Sequence, residues 1–352
     1  MKINSIANIN NKNTAFKNIW TNKAVLKGLE TISDHSASFI AATSLLMASC
    51  VRPLSIAHTP NVKKENKQHA IANSIASGLI KFAMVEAIAL PIENAIKKID
   101  KNPKKYLKRK TIETFQESAK SLSSSNNYKF ATQFIKQSAG IITAIPKSVL
   151  TVALIPPILK FAFGNKNKEK QESDFSVYNQ PNKVFDKDFQ NNVPSFKGII
   201  TNKAADGIGK LLNNPSVQNA AKKFSSNAAN ITRNMVIATD LLLSGSFAVR
   251  TMKSNKIDKE RKKPLIYNNL ISTGISVAGG YSIDKAVKKG TDKFIDKFKQ
   301  INRDNPKLAK YVEGINILRP TIIFATIYYG ILPAISTYIA DKTDNKKTNS
   351  EN

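Results

Sequence analysis

Six apolar stretches limit what this chain can fold into. They run over 39–57, 70–92, 138–163, 235–252, 265–283 and 315–340, and very polar connections separate them. Each is roughly 18–26 residues long, enough to cross a ~30 Å hydrocarbon core as a helix. Gly, Ala, Ser and Thr recur in all six, the residue types that let helices approach closely inside a bilayer. Pro156 and Pro157 interrupt the third stretch, and Pro320 and Pro333 the sixth. Membrane helices tolerate such prolines because neighbours re-satisfy the freed carbonyls. The predicted fold class is all-α, with the six stretches as transmembrane helices. The mean hydropathy of −0.27 hides this, because it averages apolar and very polar segments.

The chain also reads as an internal duplication. Phe16 to Ala24 is FKNIWTNKA and Phe196 to Ala204 is FKGIITNKA, identical at seven of nine positions. Further matches keep the same order. Ala42 to Leu46 pairs with Ala238 to Leu242, Asn73 to Gly78 with Asn269 to Gly274, and Ile92 to Lys98 with Ile283 to Lys289. Leu154 to Ile158 pairs with Ile331 to Ile335. We therefore expect two three-helix repeats at about 16–164 and 196–341, with a period far longer than a solenoid's. The second copy gains about sixteen residues near 213–229. The linker at 165–195 and the tails at 1–15 and 342–352 are polar and read as flexible.

Three spans per copy would turn the second copy over, giving an inverted repeat of the kind found in transporters. Lys plus Arg then divide 25 to 23 between the two sides, so the positive-inside rule gives no orientation. If one stretch per copy does not span, the copies run parallel.

The charge is strongly positive: 54 Lys plus Arg against 25 Asp plus Glu, a net +29. Only seven of the cations are Arg. Guanine and phosphate readers favour the bidentate Arg fork, so nucleic acid is a poor fit. An anionic lipid surface fits better, at roughly 1 kcal/mol per nearby Lys. Basic amphipathic segments carry apolar stripes at Ile112, Phe115, Ala119 and Leu122, and at Val287, Phe294, Ile295 and Phe298. Such segments either lie in the headgroup layer or pack on the protein.

Charges inside an apolar stretch cost about 2.5–3.5 kcal/mol each near the bilayer centre. Lys81, Glu86, Lys147 and Asp240 are the central ones and form the candidate intramembrane polar site. Lys81 and Glu86 are poorly placed to pair with each other, and Glu86 is expected to meet Lys147 on the next helix. Arg52, Lys160, Arg250 and Arg319 lie nearer the stretch ends and can snorkel. Of these, Arg52, Arg250 and Arg319, with Lys285, Lys288 and Lys289, are the candidate headgroup anchors.

No catalytic constellation is evident, so an enzyme is not expected. There is no G-x-S-x-G elbow, P-loop or dinucleotide fingerprint. His35, His58 and His69 lack metal-pair spacing and read as solvated loop residues; no metal or cofactor is expected. Cys50 is the single cysteine. No secretory signal core precedes the first stretch.

The composition suggests a multi-pass protein of a bacterial inner membrane, transporter-like or binding a lipid or small anion at the repeat interface. A homo-oligomer is compatible with this. The alternatives are a structural protein held at an anionic membrane by basic helices, or a soluble all-helical protein.

Overall fold

The computed structural model describes residues 20–59, 64–117, 119, 121–163, 199–253, 259–333 and 335. The predicted linker, both tails and the first residues of both FK motifs lie outside the described residues. So do the side chains of His69, Lys147, Lys160 and Arg250. All regular structure among the described residues is helical.

The short helix α1 (Lys23–Asp34) is capped by Asn22, whose side chain accepts from the Ala24 and Val25 amides. The first triplet follows. Helix α2 (Ser36–Leu46) passes through a π-helical turn (Met47–Val51) into α3 (Arg52–Ala57), giving one rod. Helix α4 (Lys64–Lys101) returns and stops before Asn102-Pro103, a pair that disfavours helix at its first residue. After α5 (Pro103–Tyr106) and α6 (Arg109–Gln116), the long α7 (Asn126–Phe163) completes the triplet. Then come α8 (Ile199–Leu212) and α9 (Pro215–Phe224). The second triplet is α10 (Ile231–Lys253), α11 (Lys259–Ile301) and α12 (Leu308–Thr326), the last running into a second π-helical turn (Ile327–Ile331). The 213–229 insertion seen in sequence is largely α9 and the 3-10 segment after it.

Hydrogen bonds fix the direction of most of the long helices, and Asn302, just after α11, donates to the Trp20 carbonyl (3.2 Å) beside the start of α1. The Ser33 carbonyl accepts from Gln133 (3.1 Å) and Lys136 (2.9 Å) at the start of α7. Gln137 donates to Thr232 at the start of α10 (2.9 Å). Lys310, at the start of α12, bridges Asp34 (2.5 Å) and Asp100 (3.1 Å), which end α1 and approach the end of α4. All these termini share one end of the molecule, the cap. At the far end Ser55 donates to the Gly330 carbonyl (2.8 Å) and Lys67 to the Ala57 carbonyl (2.8 Å). The two triplets thus run the same way. This corrects the inverted arrangement expected from counting spans: the short helices at the cap start both triplets from one side.

The cap has an ordinary apolar core. Ile96, Ile99, Phe115, Tyr128, Ile208 and Leu212 are buried together, with Ile112 and Leu122 packed on them. The first predicted headgroup stripe is therefore a packing face, as Phe115 is fully buried. In the second stripe Ile295 and Phe298 are buried with Leu26, Leu29 and Tyr311, while Val287 and Phe294 remain exposed. A β-carbon on Gly314 would stand 2.2 Å from the Leu29 carbonyl oxygen, so only glycine allows α1 to lie this close on α12.

The middle of the bundle is built differently. Small residues make up much of its interior, where Ala37, Ala41, Ala89 and Ala139 are almost fully buried beside Val85. Large apolar side chains point outward instead, including Leu46 (62% exposed), Leu54 (60%) and Met252 (67%). Among the described residues two segments, Ser36–Ala57 and Ser74–Lys101, are long and apolar enough to cross a membrane, against the six expected. Within each, 22% and 28% of the apolar 18-residue window is buried.

Candidate functional site

Between the triplets lies a cavity of about 160 Å³. Its walls come from α2, α4, α7, α10 and α12, and its far end is formed by residues in or beside the two π-helical turns. Those turns have a local cause. Pro53 and Pro333 each follow two residues after a turn ends, and a proline lacks the N–H that the carbonyl four residues earlier needs. The helix widens by one residue to relieve the clash. Carbonyls in the turns are taken up by neighbours: Ser74 donates to Ala48 (2.8 Å) and Ser55 to Gly330. Turns of this type recur at functional sites.

Of the four residues assigned from sequence to a central polar site, Lys81 and Asp240 line this cavity. Lys81 Nζ donates to Ser44 Oγ at 2.9 Å. Arg52, expected at the lipid headgroups, lines the cavity instead. Its guanidinium lies 5.9 Å from the Tyr328 ring centre, and its Nε is buried without a hydrogen-bond partner. Glu86 is not in the wall; it accepts from Ser38 Oγ at 3.1 Å. Its predicted partner Lys147 lies outside the described side chains.

Above the cavity sit two buried carboxylates that sequence reasoning missed. Glu93 is fully buried and accepts four hydrogen bonds. Its donors are the Ala37 amide (2.7 Å), the Ser38 amide (3.1 Å), Ser38 Oγ (2.7 Å) and His35 Nδ1 (3.1 Å). It therefore caps the start of α2, where unpaired amides favour an anion. Asp284, at the matched sequence position, is also fully buried. It accepts from Arg319 Nε (2.8 Å) and Arg233 Nη1 (3.3 Å), and Arg233 is in the first turn of α10. The signal was in the Ile92–Lys98 and Ile283–Lys289 match, read there only as a repeat.

Arg319 is thus a buried ion-pair partner, its side chain 5% exposed, and not the headgroup anchor expected from sequence. The helix carries it past its stretch end into the bundle. His35 likewise sits on Glu93 and not in a solvated loop, whereas His58 is exposed and contacts its own helix. Lys285 and Lys289 are exposed on the cap, and Lys288 pairs with Asp292 (2.5 Å). Arg250 lies outside the described side chains.

The cap holds the triplets together by charge. Asp34 contacts Lys310 and, at 3.4 Å, Lys97. Burial alone would raise its carboxyl, but Lys310, with Lys136 and Lys97 behind it, holds it below the ordinary value. Burial opposes the charge on Lys310, yet Asp100 and Asp34 together push it well above the usual lysine range. Tyr128 donates to Asp100 (2.8 Å), and burial first, then that carboxylate, raises its hydroxyl well above normal.

Compared with protein-family models, curated proteins and solved structures, the chain matches none.

Proposed function

We infer that this is a helical membrane protein that binds a small anionic ligand in the cavity between its two triplets. The observation that carries the reading is the placement of Lys81 and Arg52 on that cavity, among mostly apolar and small side chains. The two cations favour a carboxylate or phosphate and Asp240 restricts its orientation, while the Ser44, Thr143 and Thr239 hydroxyls already donate to carbonyls of their own helices. The outward-facing Leu and Met side chains and the weakly buried Ser36–Ala57 and Ser74–Lys101 support a lipid setting.

The parallel triplets remove the argument for transport that an inverted repeat would have supplied. They also supply the charge asymmetry that the inverted layout lacked. Among the described residues, the cap segments 20–38, 93–136, 199–233 and 284–314 hold 26 Lys plus Arg, and the far-end segments 64–69 and 253–264 hold seven. We place the cap on the cytoplasmic face of a bacterial inner membrane, against anionic lipid.

One connection restricts the embedding. Phe163 ends α7 at the far end, and Ile199 begins α8 at the cap, where Lys98 donates to Asn202 (2.8 Å). The 35 residues between them carry eleven charges, too many to cross lipid. The hairpins α2–α4 and α10–α11 are therefore the embedded part, and α7 runs along a flank that lipid does not seal. The sequence matches and the common direction of the triplets support a duplicated three-helix unit.

Two measurements test this. The protein should stay in the pellet when membranes are washed with alkaline carbonate; release into the supernatant ends the membrane reading. A thermal-shift screen of small carboxylates and phosphates should find a ligand whose effect is lost in Lys81→Gln and weakened in Arg52→Gln. A ligand response that ignores both changes would remove the cavity from the proposal.

A further inference from the structure

Arg319, Arg233 and Asp284 form a buried cluster whose charges do not balance. Two guanidinium groups face one carboxylate, a local net charge of +1 with side chains only 5%, 11% and 0% exposed. Arg319 spends its Nε on Asp284, and both of its remaining nitrogens, Nη1 and Nη2, are buried without a partner. Arg233 has further anchors: its Nε reaches Asn234 Oδ1 at 3.4 Å, and its guanidinium lies 4.8 Å from the Tyr281 ring centre. Four N–H donors on a fully charged, water-excluded group are thus uncommitted. Guanidinium groups cannot discharge themselves by losing a proton. A buried cation left without acceptors costs far more than one that is paired.

The matched site in the first triplet shows what a closed cluster looks like. Around Glu93 four donors meet one carboxylate, and none of them is a second permanent cation. Around Asp284 the acceptor count falls short. Arg233 stands in the first turn of α10, where the helix dipole adds positive potential. Arg319, Arg233 and Asp284 do not line the central cavity. Thr321 and Met235, two residues further along the same helices, do.

We propose that Arg319 and Arg233 hold a small monovalent anion of halide size beside Asp284, as a second site separate from the cavity. One negative charge neutralises the cluster, and the Arg319 Nη groups donate to it. The anion is a structural ligand that ties α10, α11 and α12 together.

The test uses purified full-length protein exchanged into sodium gluconate and titrated with sodium chloride or bromide at constant ionic strength. The unfolding midpoint should rise saturably with either halide. Arg319→Gln should raise the half-saturating concentration about tenfold or more, the loss of at least one charge-assisted hydrogen bond. Arg303→Gln, which removes an exposed arginine, should keep the wild-type response. Asp284→Asn should lower the half-saturating concentration, because it takes away the competing negative charge. Bromide anomalous diffraction from the wild type should place an ion beside Arg319, and this arm stands even if the variants do not fold. Equal midpoints in gluconate and chloride would overturn the proposal. So would a response that survives Arg319→Gln, or a bromide ion found only elsewhere.

Discussion

Replacing Glu93 is the sharpest test of how the first triplet is held. Its carboxylate is fully buried and takes four hydrogen bonds, two of them from the amides of Ala37 and Ser38 that open α2. Glu93→Ala removes all four acceptor contacts and leaves both amides without this partner inside the bundle. Hydrogen bonds to a charged group contribute about 1.5–3 kcal/mol each, but they share one group and do not add. Each buried donor left without an acceptor costs about 1–3 kcal/mol, and since the four share one site we expect a total loss of about 2–5 kcal/mol. Glu93→Gln keeps one carbonyl oxygen for the two amides and loses the other acceptor, which should cost about 1–3 kcal/mol. Denaturant unfolding gives the magnitudes, and amide hydrogen exchange locates them. Protection at Ala37 and Ser38 should collapse in Glu93→Ala and persist in part in Glu93→Gln. Both variants within about 0.5 kcal/mol of wild type, with protection unchanged, would refute the capping role.

The cap should weaken at both extremes of pH. Asp34 is depressed in the fold, so its contribution is present above its unfolded value near ~3.9 and is lost as pH falls through the lower folded value. Lys310 is raised, so its contribution is complete below ~10.4 and is lost only as pH rises through the higher folded value. Unfolding midpoints across pH should therefore show a plateau between those limits in wild type. Lys310→Met should flatten the acid limb, and an unchanged limb would mean that Asp34 is not held by Lys310. Gly314→Ala should cost about 1–3 kcal/mol, because the new methyl meets backbone of α1 and α1 must move. Wild-type stability in that variant would show that α1 does not lie on α12 as closely as described.

The helical class was legible in sequence because the apolar stretches are long and bounded by polar connections. Their true lengths were not. Helices α4, α7 and α11 overrun their apolar cores into the cap at Lys101, Asn126 and Ile301, where one face is apolar and the other lysine-rich. A linear hydropathy profile averages such faces and ends the helix too early. Lys81 and Asp240, singled out by their positions within apolar runs, line the cavity. Arg319 is buried in an ion pair where a headgroup anchor was expected, because nearness to a stretch end says nothing about which way a helix face points.

Sequence alone determined that the chain is helical, that small residues are plentiful enough for close packing, and that the segments holding Glu93 and Asp284 resemble each other. These follow from composition and order along the chain. Only the tertiary structure decided the common direction of the triplets and the partners of the buried charges. Lys310 meets Asp34 and Arg233 meets Asp284 across separations of 276 and 51 residues. No local pattern encodes such pairs, because they exist only once the cap has docked the helix ends side by side. Among the described residues that docking also gathers most of the lysines and arginines at the cap.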